Sequence, residues 1–155
     1  MSKALRMAKT DETGLTCFGN ASYAGYIYLL TRHTNNYFTG IKFFNQTSNE
    51  CEEFYWDSSS KTLKKVVYTG GTAGTPIDIT SANMQINSIR IAINGESKDT
   101  DASCIGNNTC GATTGVSEQP KVTISLQIAI PGETAPTIIQ TTTSQRNLNT
   151  NNGQR

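Results

Sequence analysis

Charge is scarce in this chain of 155 residues. Asp, Glu, Lys and Arg together make up 16% of it, and the formal net charge is only +1. Proteins that bind nucleic acid or anionic membranes by electrostatics carry concentrated positive charge. Here the basic residues are scattered, and the longest basic run is the pair Lys64 and Lys65. The sequence therefore predicts no nucleic-acid partner.

Histidine and long apolar runs are scarce too. His33 is the single histidine, and no GxSxG motif supplies a nucleophile for it, so we predict a surface histidine and a protein that is not an enzyme. Glu52 and Glu53 are adjacent, and adjacent side chains of a strand point to opposite faces, so the two cannot act as a glycosidase pair. No signal peptide and no run of about 20 apolar residues that could span a bilayer is present.

Cysteine is present in an even number. Cys17, Cys51, Cys104 and Cys110 lie in a polar chain rich in Asn, Thr, Ser and Gly, which is typical of β-rich extracytoplasmic proteins with disulfides. The short spacing of Cys104 and Cys110 favours a local bridge and leaves Cys17 to pair with Cys51. A zinc site is the alternative, but there is no CxxC knuckle.

Period-two patterns predict an antiparallel sheet. Lys121 to Ile130, KVTISLQIAI, alternates apolar and polar residues most regularly, so we predict that it is the central strand. The segment 51–56 and its partner 62–69 form a predicted hairpin around Ser58–Ser60. The strand over 86–93 changes register near Asn87–Ser88, which indicates a bulge. Further strands are predicted over 23–32, 41–44 and 137–144.

The first residues, MSKALRMAK, have helical propensity, and we interpret residues 1–10 as the C-terminal end of a longer helix that begins upstream. Residues 11–146 form the predicted globular head, and 147–155 form a polar tail that we expect to be disordered. A helix followed by strands favours an α+β fold, in which the N-terminal helix remnant packs on an antiparallel β-sheet.

Four segments stand in a particular order after this helix: CEEFYWDSSSKTLKKV, PIDITSANMQINSIRIAING, QPKVTISLQIAI and TIIQTTTSQRNLN. As an ordered set, over most of Cys51 to Asn149, they resemble the soluble head of type IV pilin-like proteins. The similarity is greatest to minor pseudopilins of the type II secretion system. The prepilin cleavage site and apolar helix start of that family are not in this sequence.

The resemblance implies a structural subunit of an envelope filament, located in the periplasm or at the cell surface. Its partners would be other pilin or pseudopilin subunits, and the missing helix would anchor it in the membrane before assembly. Arg146 and the polar segment 94–119 are the expected places for contacts with partners.

Two binding functions are alternatives. Glu96, Asp99 and Asp101 offer oxygen ligands in a polar loop that could wrap Ca²⁺, although the segment is not an EF-hand and an ordinary polar loop is the preferred interpretation. No other cofactor is predicted. A secreted β-rich adhesin or carbohydrate-binding module is the second alternative, because aromatic side chains could stack on sugars unless they pack in the core. These aromatic residues are Tyr23, Tyr26, Tyr28, Tyr37, Tyr55 and Trp56.

Overall fold

Strands dominate the computed structural model, which describes residues 1–34, 37–81, 83–95, 120–130, 132–133 and 135–145. One short helix, α1 (Ser2–Arg6), and a 3-10 turn at Ala21–Tyr23 accompany them. The strands are β1 (Ala8–Lys9), β2 (Tyr28–Thr34), β3 (Tyr37–Asn45), β4 (Glu50–Asp57), β5 (Thr62–Thr69), β6 (Thr72–Ala73), β7 (Ile77–Asp78), β8 (Gln85–Asn94), β9 (Lys121–Ala129) and β10 (Thr137–Ser144).

Strand β3 connects the antiparallel sheet. On one edge it pairs with β2 and, at its end, with β1. On the opposite edge it pairs with β4 from Gly40 to Asn45, and then with β8 at Phe38. Two groups of strands therefore diverge from the same edge of β3. We call β4–β7 the hairpin wing and β8–β10 the meander wing.

The two wings share one hydrophobic core. Trp56 Nε1 of the hairpin wing donates a hydrogen bond of 3.0 Å to the carbonyl of Ile86 in the meander wing, and the Ile86 N–H donates to the carbonyl of Lys61 at 2.8 Å. Burial of large apolar side chains between the wings contributes about 1.5–3 kcal/mol for each of them. The buried core comprises Leu5, Ala8, Ile27, Tyr28, Ile41, Phe43, Phe54, Leu63, Ile86, Ile89, Ile91, Val122 and Ile124.

The predicted α+β fold with a helix remnant packed on the sheet is wrong: the protein is β-rich. Helix α1 has only five residues, and at Ala8 the chain is already a strand that pairs with Asn45 of β3. A helix this short has little stability of its own because nucleation is unfavourable. What holds it is Leu5, whose side chain is fully buried in the core. No helix in the described part of the chain is long and apolar enough to cross a membrane.

The predicted strands are present, although the one predicted over 23–32 begins only at Tyr28, and the centre of the sheet is different. The hairpin β4–β5, the last strand β10 and the bulge between Ile86 and Ser88 are confirmed. Strand β9 is not central, since it lies second from the β10 edge. The hub is β3, which extends well beyond the predicted 41–44. Five of its last six residues are buried on one face or the other, so its sequence lacks the alternation that marked β9.

A disulfide joins Cys17 to Cys51, as predicted. With Phe18 and Phe44 these cysteines form a second, smaller apolar cluster. Asp11 orders the loop that carries Cys17, because its carboxylate accepts hydrogen bonds from the backbone N–H groups of Cys17 at 2.8 Å and Phe18 at 3.3 Å. The bridge thus attaches an irregular N-terminal loop to the start of strand β4 in the hairpin wing. Cys104 and Cys110 lie outside the described residues.

Loss of this bridge should destabilise the fold. The Cys17→Ser/Cys51→Ser variant loses a cross-link between residues 34 positions apart, and we expect its free energy of unfolding to fall by about 2–4 kcal/mol. Urea unfolding followed by the fluorescence of Trp56, the single tryptophan, measures it. Reductant should lower the wild-type midpoint towards that of the variant, and any further effect of reductant on the variant reports the other two cysteines. Equal midpoints for the oxidised wild type and the variant would contradict a stabilising role.

Candidate functional site

A buried carboxylate, Glu53, ties β2 to the hairpin wing. Its side chain is 3% exposed and accepts hydrogen bonds from Thr31 Oγ1 at 2.7 Å, Arg32 Nε at 3.1 Å and Tyr68 Oη at 2.6 Å. The second oxygen of the carboxylate also lies 3.4 Å from a terminal nitrogen of Arg32. Both oxygens are therefore satisfied, as a buried charge requires.

The backbone of Arg32 creates this arrangement. Consecutive side chains of a strand alternate between faces, yet Thr31 and Arg32 both reach Glu53. Arg32 adopts a left-handed conformation with φ of 50°, which is uncommon for a residue other than glycine. Its guanidinium carbon lies 3.6 Å from the centroid of the Tyr55 ring, and this cation–π stacking further fixes the side chain.

Gly40 provides the space beneath this cluster. It pairs with Thr31 on one side and Tyr55 on the other. A Cβ atom at position 40 would collide with Thr31 Oγ1 and lie 3.2 Å from the Cβ of Tyr55. Glycine in the middle of a strand thus allows β2 and β4 to approach closely on either side of β3.

The contacts around Glu53 shift the pKa values of the groups that form them. Burial alone would raise the pKa of Glu53, but hydrogen bonds from Arg32, Tyr68 and Thr31 outweigh it and hold the pKa below its ordinary value. Burial and the hydrogen bond to Glu53 raise the pKa of Tyr68 to about 12. Lys42, whose Nζ lies 3.6 Å from the centroid of the Tyr68 ring, has its pKa lowered by burial. This is a closed ion-pair network, without a poised base.

Glu52 faces the opposite side of the sheet from Glu53, as predicted for adjacent strand residues. Its Oε1 accepts hydrogen bonds from the Asn45 amide at 3.0 Å and the Ser48 hydroxyl at 3.1 Å, and it forms a salt bridge with Lys65 at 3.0 Å. Its buried Oε2 accepts no hydrogen bond from any described residue. The two carboxylates cannot act together on one substrate.

An open groove of about 520 Å³ lies between α1 and the hairpin wing, on the Glu52 side. Lys3, Asn45, Thr47 and Lys65 contribute its polar atoms. The apolar part of its lining comes from Met1, Ala4, Met7, Phe54, Leu63 and Ile79.

Of the other predicted site residues, Tyr23 and Tyr26 pack edge-on, with 5.7 Å between their ring centroids. His33 is exposed, and its ring packs edge-on against Phe38 with 5.1 Å between the ring centroids. The rest of the predicted aromatic set has other roles. Tyr28 is buried and donates to the Leu5 carbonyl at 2.6 Å, and Tyr55 is buried beneath Arg32. Trp56 donates across the wings, and Tyr37 is exposed.

The predicted calcium ligands Glu96, Asp99 and Asp101, and the predicted contact residue Arg146, lie outside the described residues. Within the described ranges, no group of three or more His, Cys, Asp or Glu side chains is placed to hold a metal ion.

The outer edge of β10 is the most accessible feature of the sheet. Strand β10 pairs with β9 over its whole length, and no strand in the described part of the chain pairs with its other edge. Ile138 and Ile139 are 71% and 46% exposed. The segment TIIQTTTS has no charge and no proline, and therefore lacks the features that usually prevent edge strands from pairing with other chains.

The other edges of the sheet are protected. On the hairpin wing, β5 is covered by the two-residue strands β6 and β7. On the other edge of β3, the outer strand β2 carries Arg32, whose left-handed conformation interrupts the regular backbone and whose side chain adds a charge. The composition of β10 was visible in the sequence as an uncharged, β-branched segment, but which strand lies at an edge is a property of the topology.

No protein-family model, curated protein or solved structure matches this chain. The resemblance to pilin-like proteins therefore stays a prediction. The disulfide between Cys17 and Cys51 is of the kind found in proteins of oxidising compartments.

The Glu53 ion pair should make stability depend on pH. Glu53→Gln leaves Arg32 without its charged partner, and we expect a loss of about 2 kcal/mol in the free energy of unfolding at pH 7. Because the pKa of Glu53 is lowered in the fold, its contribution is complete above the unfolded pKa of about 4.3 and is lost as the pH falls through the folded value. The difference between wild type and variant should thus shrink below pH 4.

Urea unfolding between pH 3 and pH 7 measures this difference, with Glu50→Gln, an exposed glutamate of the same strand, as the matched control. A wild-type advantage that persists unchanged at pH 3 would show that the charge of Glu53 is not its source.

Proposed function

We propose that this chain is a non-enzymatic structural subunit of an extracytoplasmic assembly, which contacts its neighbours through the outer edge of β10. The filament subunit of the cell envelope inferred from the resemblance to pilin-like proteins is one form of such a subunit. The proposal does not depend on a pilin fold.

The observation that carries the proposal is the unprotected β10 edge. Along the uncharged strand β10, the backbone N–H and C=O groups of alternate residues face away from β9, beside the exposed Ile138 and Ile139. Strand addition to an edge of this kind supplies main-chain hydrogen bonds and side-chain contacts together. In a monomeric protein the same edge would promote aggregation, so its persistence favours a role in assembly.

The charged groups favour the same conclusion. Glu53 and Arg32 neutralise each other, Glu52 is held by Lys65, and Asp11 orders the Cys17 loop. Within the described ranges these charges have partners inside the fold, which is what a structural role requires. Tyr23 and Tyr26 pack together edge-on, but Tyr28 and Tyr55 are buried, so the six predicted aromatic residues do not supply one stacking surface for a sugar.

A substitution that charges the edge tests the proposal. The native, full-length gene carrying Ile139→Lys is expressed in its own host, and the extracytoplasmic fraction is separated into sedimenting and free material. We expect the wild-type chain in the sedimenting fraction and the variant mainly in the free fraction, because an inward-pointing lysine prevents strand addition.

Ile77→Lys is the matched control, since Ile77 is 57% exposed and lies in β7 on the opposite side of the sheet. It should leave the chain in the sedimenting fraction. The proposal fails if wild type and both variants are all free monomers, or if the two variants behave alike.

A further inference from the structure

The accessible part of the β10 edge is its first five residues. At the other end of the strand, Ser2, Arg6 and Met7 of the α1 region form an open groove with Thr142 and Ser144, so α1 flanks that end. Thr137–Thr141 has no such neighbour among the described elements. A pairing strand thus has access to TIIQT.

This segment is chemically symmetric about its middle residue, Ile139. An antiparallel copy centred there would place Thr137 opposite Thr141 and Ile139 opposite Ile139. Thr–Thr pairs and pairs of β-branched apolar residues are both favourable across antiparallel strands. Only Ile138 would face a different residue type, Gln140.

We propose that the partner at this edge is a second copy of this chain, whose β10 pairs antiparallel with a two-fold axis at Ile139. The inference rests on the proposed function and names the neighbour. In an isologous contact residue i faces residue j, and residue j faces residue i. A charge at position 139 would therefore meet its own copy, and a charge at 137 or 138 would need an opposite charge at 141 or 140. The uncharged segment TIIQT meets this condition without any charged pair.

The pairing would also extend an existing apolar row. Ile89 of β8, Leu126 of β9 and Ile139 of β10 are successive cross-strand partners on the core face of the sheet. Across the two-fold axis, Ile139 of one copy would contact Ile139 of the other, and the row would continue into the second molecule. The partly exposed Ile139 would be buried by the contact.

Disulfide cross-linking tests both the partner and the register. In a Cys104→Ser/Cys110→Ser background, Ile139→Cys should form a disulfide-linked dimer under mild oxidation, because directly opposed residues fall within the Cα separation that a disulfide allows. Ile138→Cys is the register control. Residue 138 is more exposed than residue 139, so random collisions would cross-link it more, but in the proposed pairing its own copy lies diagonally beyond disulfide reach.

The expected result is severalfold more dimer for Ile139→Cys than for Ile138→Cys or for Ile77→Cys in β7. Equilibrium sedimentation of the chain without introduced cysteines should show a species of twice the monomer mass of 16.8 kDa, which Ile139→Lys abolishes. Far-ultraviolet circular dichroism and Trp56 fluorescence confirm that each variant is folded.

Equal cross-linking at positions 138 and 139, or a strictly monomeric wild type at all concentrations, overturns the self-pairing. If the chain is monomeric when purified but Ile139→Lys still releases it from the sedimenting fraction of its host, the edge binds a different chain. In that case the proposed function stands and this inference falls.

Discussion

The architecture depends on the way in which β3 divides its hydrogen bonds. A strand has two edges, and β3 uses one of them for two different partners, β4 and then β8. Two wings leave that edge in succession and face each other across a common core. A regular sheet of the same strands would have one continuous edge there, and its apolar face would need another layer to cover it. Here the sheet covers itself, with Leu5 of α1 filling the remaining space.

Close pairing on both edges of β3 places charges in the interior, and the fold compensates each of them locally. Glu52 and Glu53 leave β4 on opposite faces and find separate partners. The left-handed conformation of Arg32 costs of order 1–3 kcal/mol. It is offset by the ion pair with Glu53 and the stacking on Tyr55. The strained backbone of Arg32 thus supports a network of contacts that stabilises the fold.

The sequence patterns predicted turns, bulges and those strands that alternate between apolar and polar residues. The hairpin, the bulge after Ile86 and strands β9 and β10 each have one buried and one open face or a clear turn, and period-two alternation is reliable there. Strand β3 was underestimated because both of its faces are buried. The Glu53 network was missed because a non-glycine residue with positive φ, Arg32, leaves no trace in the sequence. The helix was overestimated because propensity over nine residues carries little weight against pairing of Ala8 with β3.

One hydrogen bond has a consequence for the order in which the chain folds. The side-chain amide of Gln145 donates to the carbonyl of Ala8 at 2.9 Å, across 137 positions of sequence. The first strand therefore makes a contact with the last residue that the structure describes, and β3 pairs with β8 only once Ile91 has been synthesised. On a ribosome, the N-terminal half would emerge long before these contacts exist. Such a topology folds late and slowly, so the N-terminal half stays without its long-range partners until the meander wing has been synthesised.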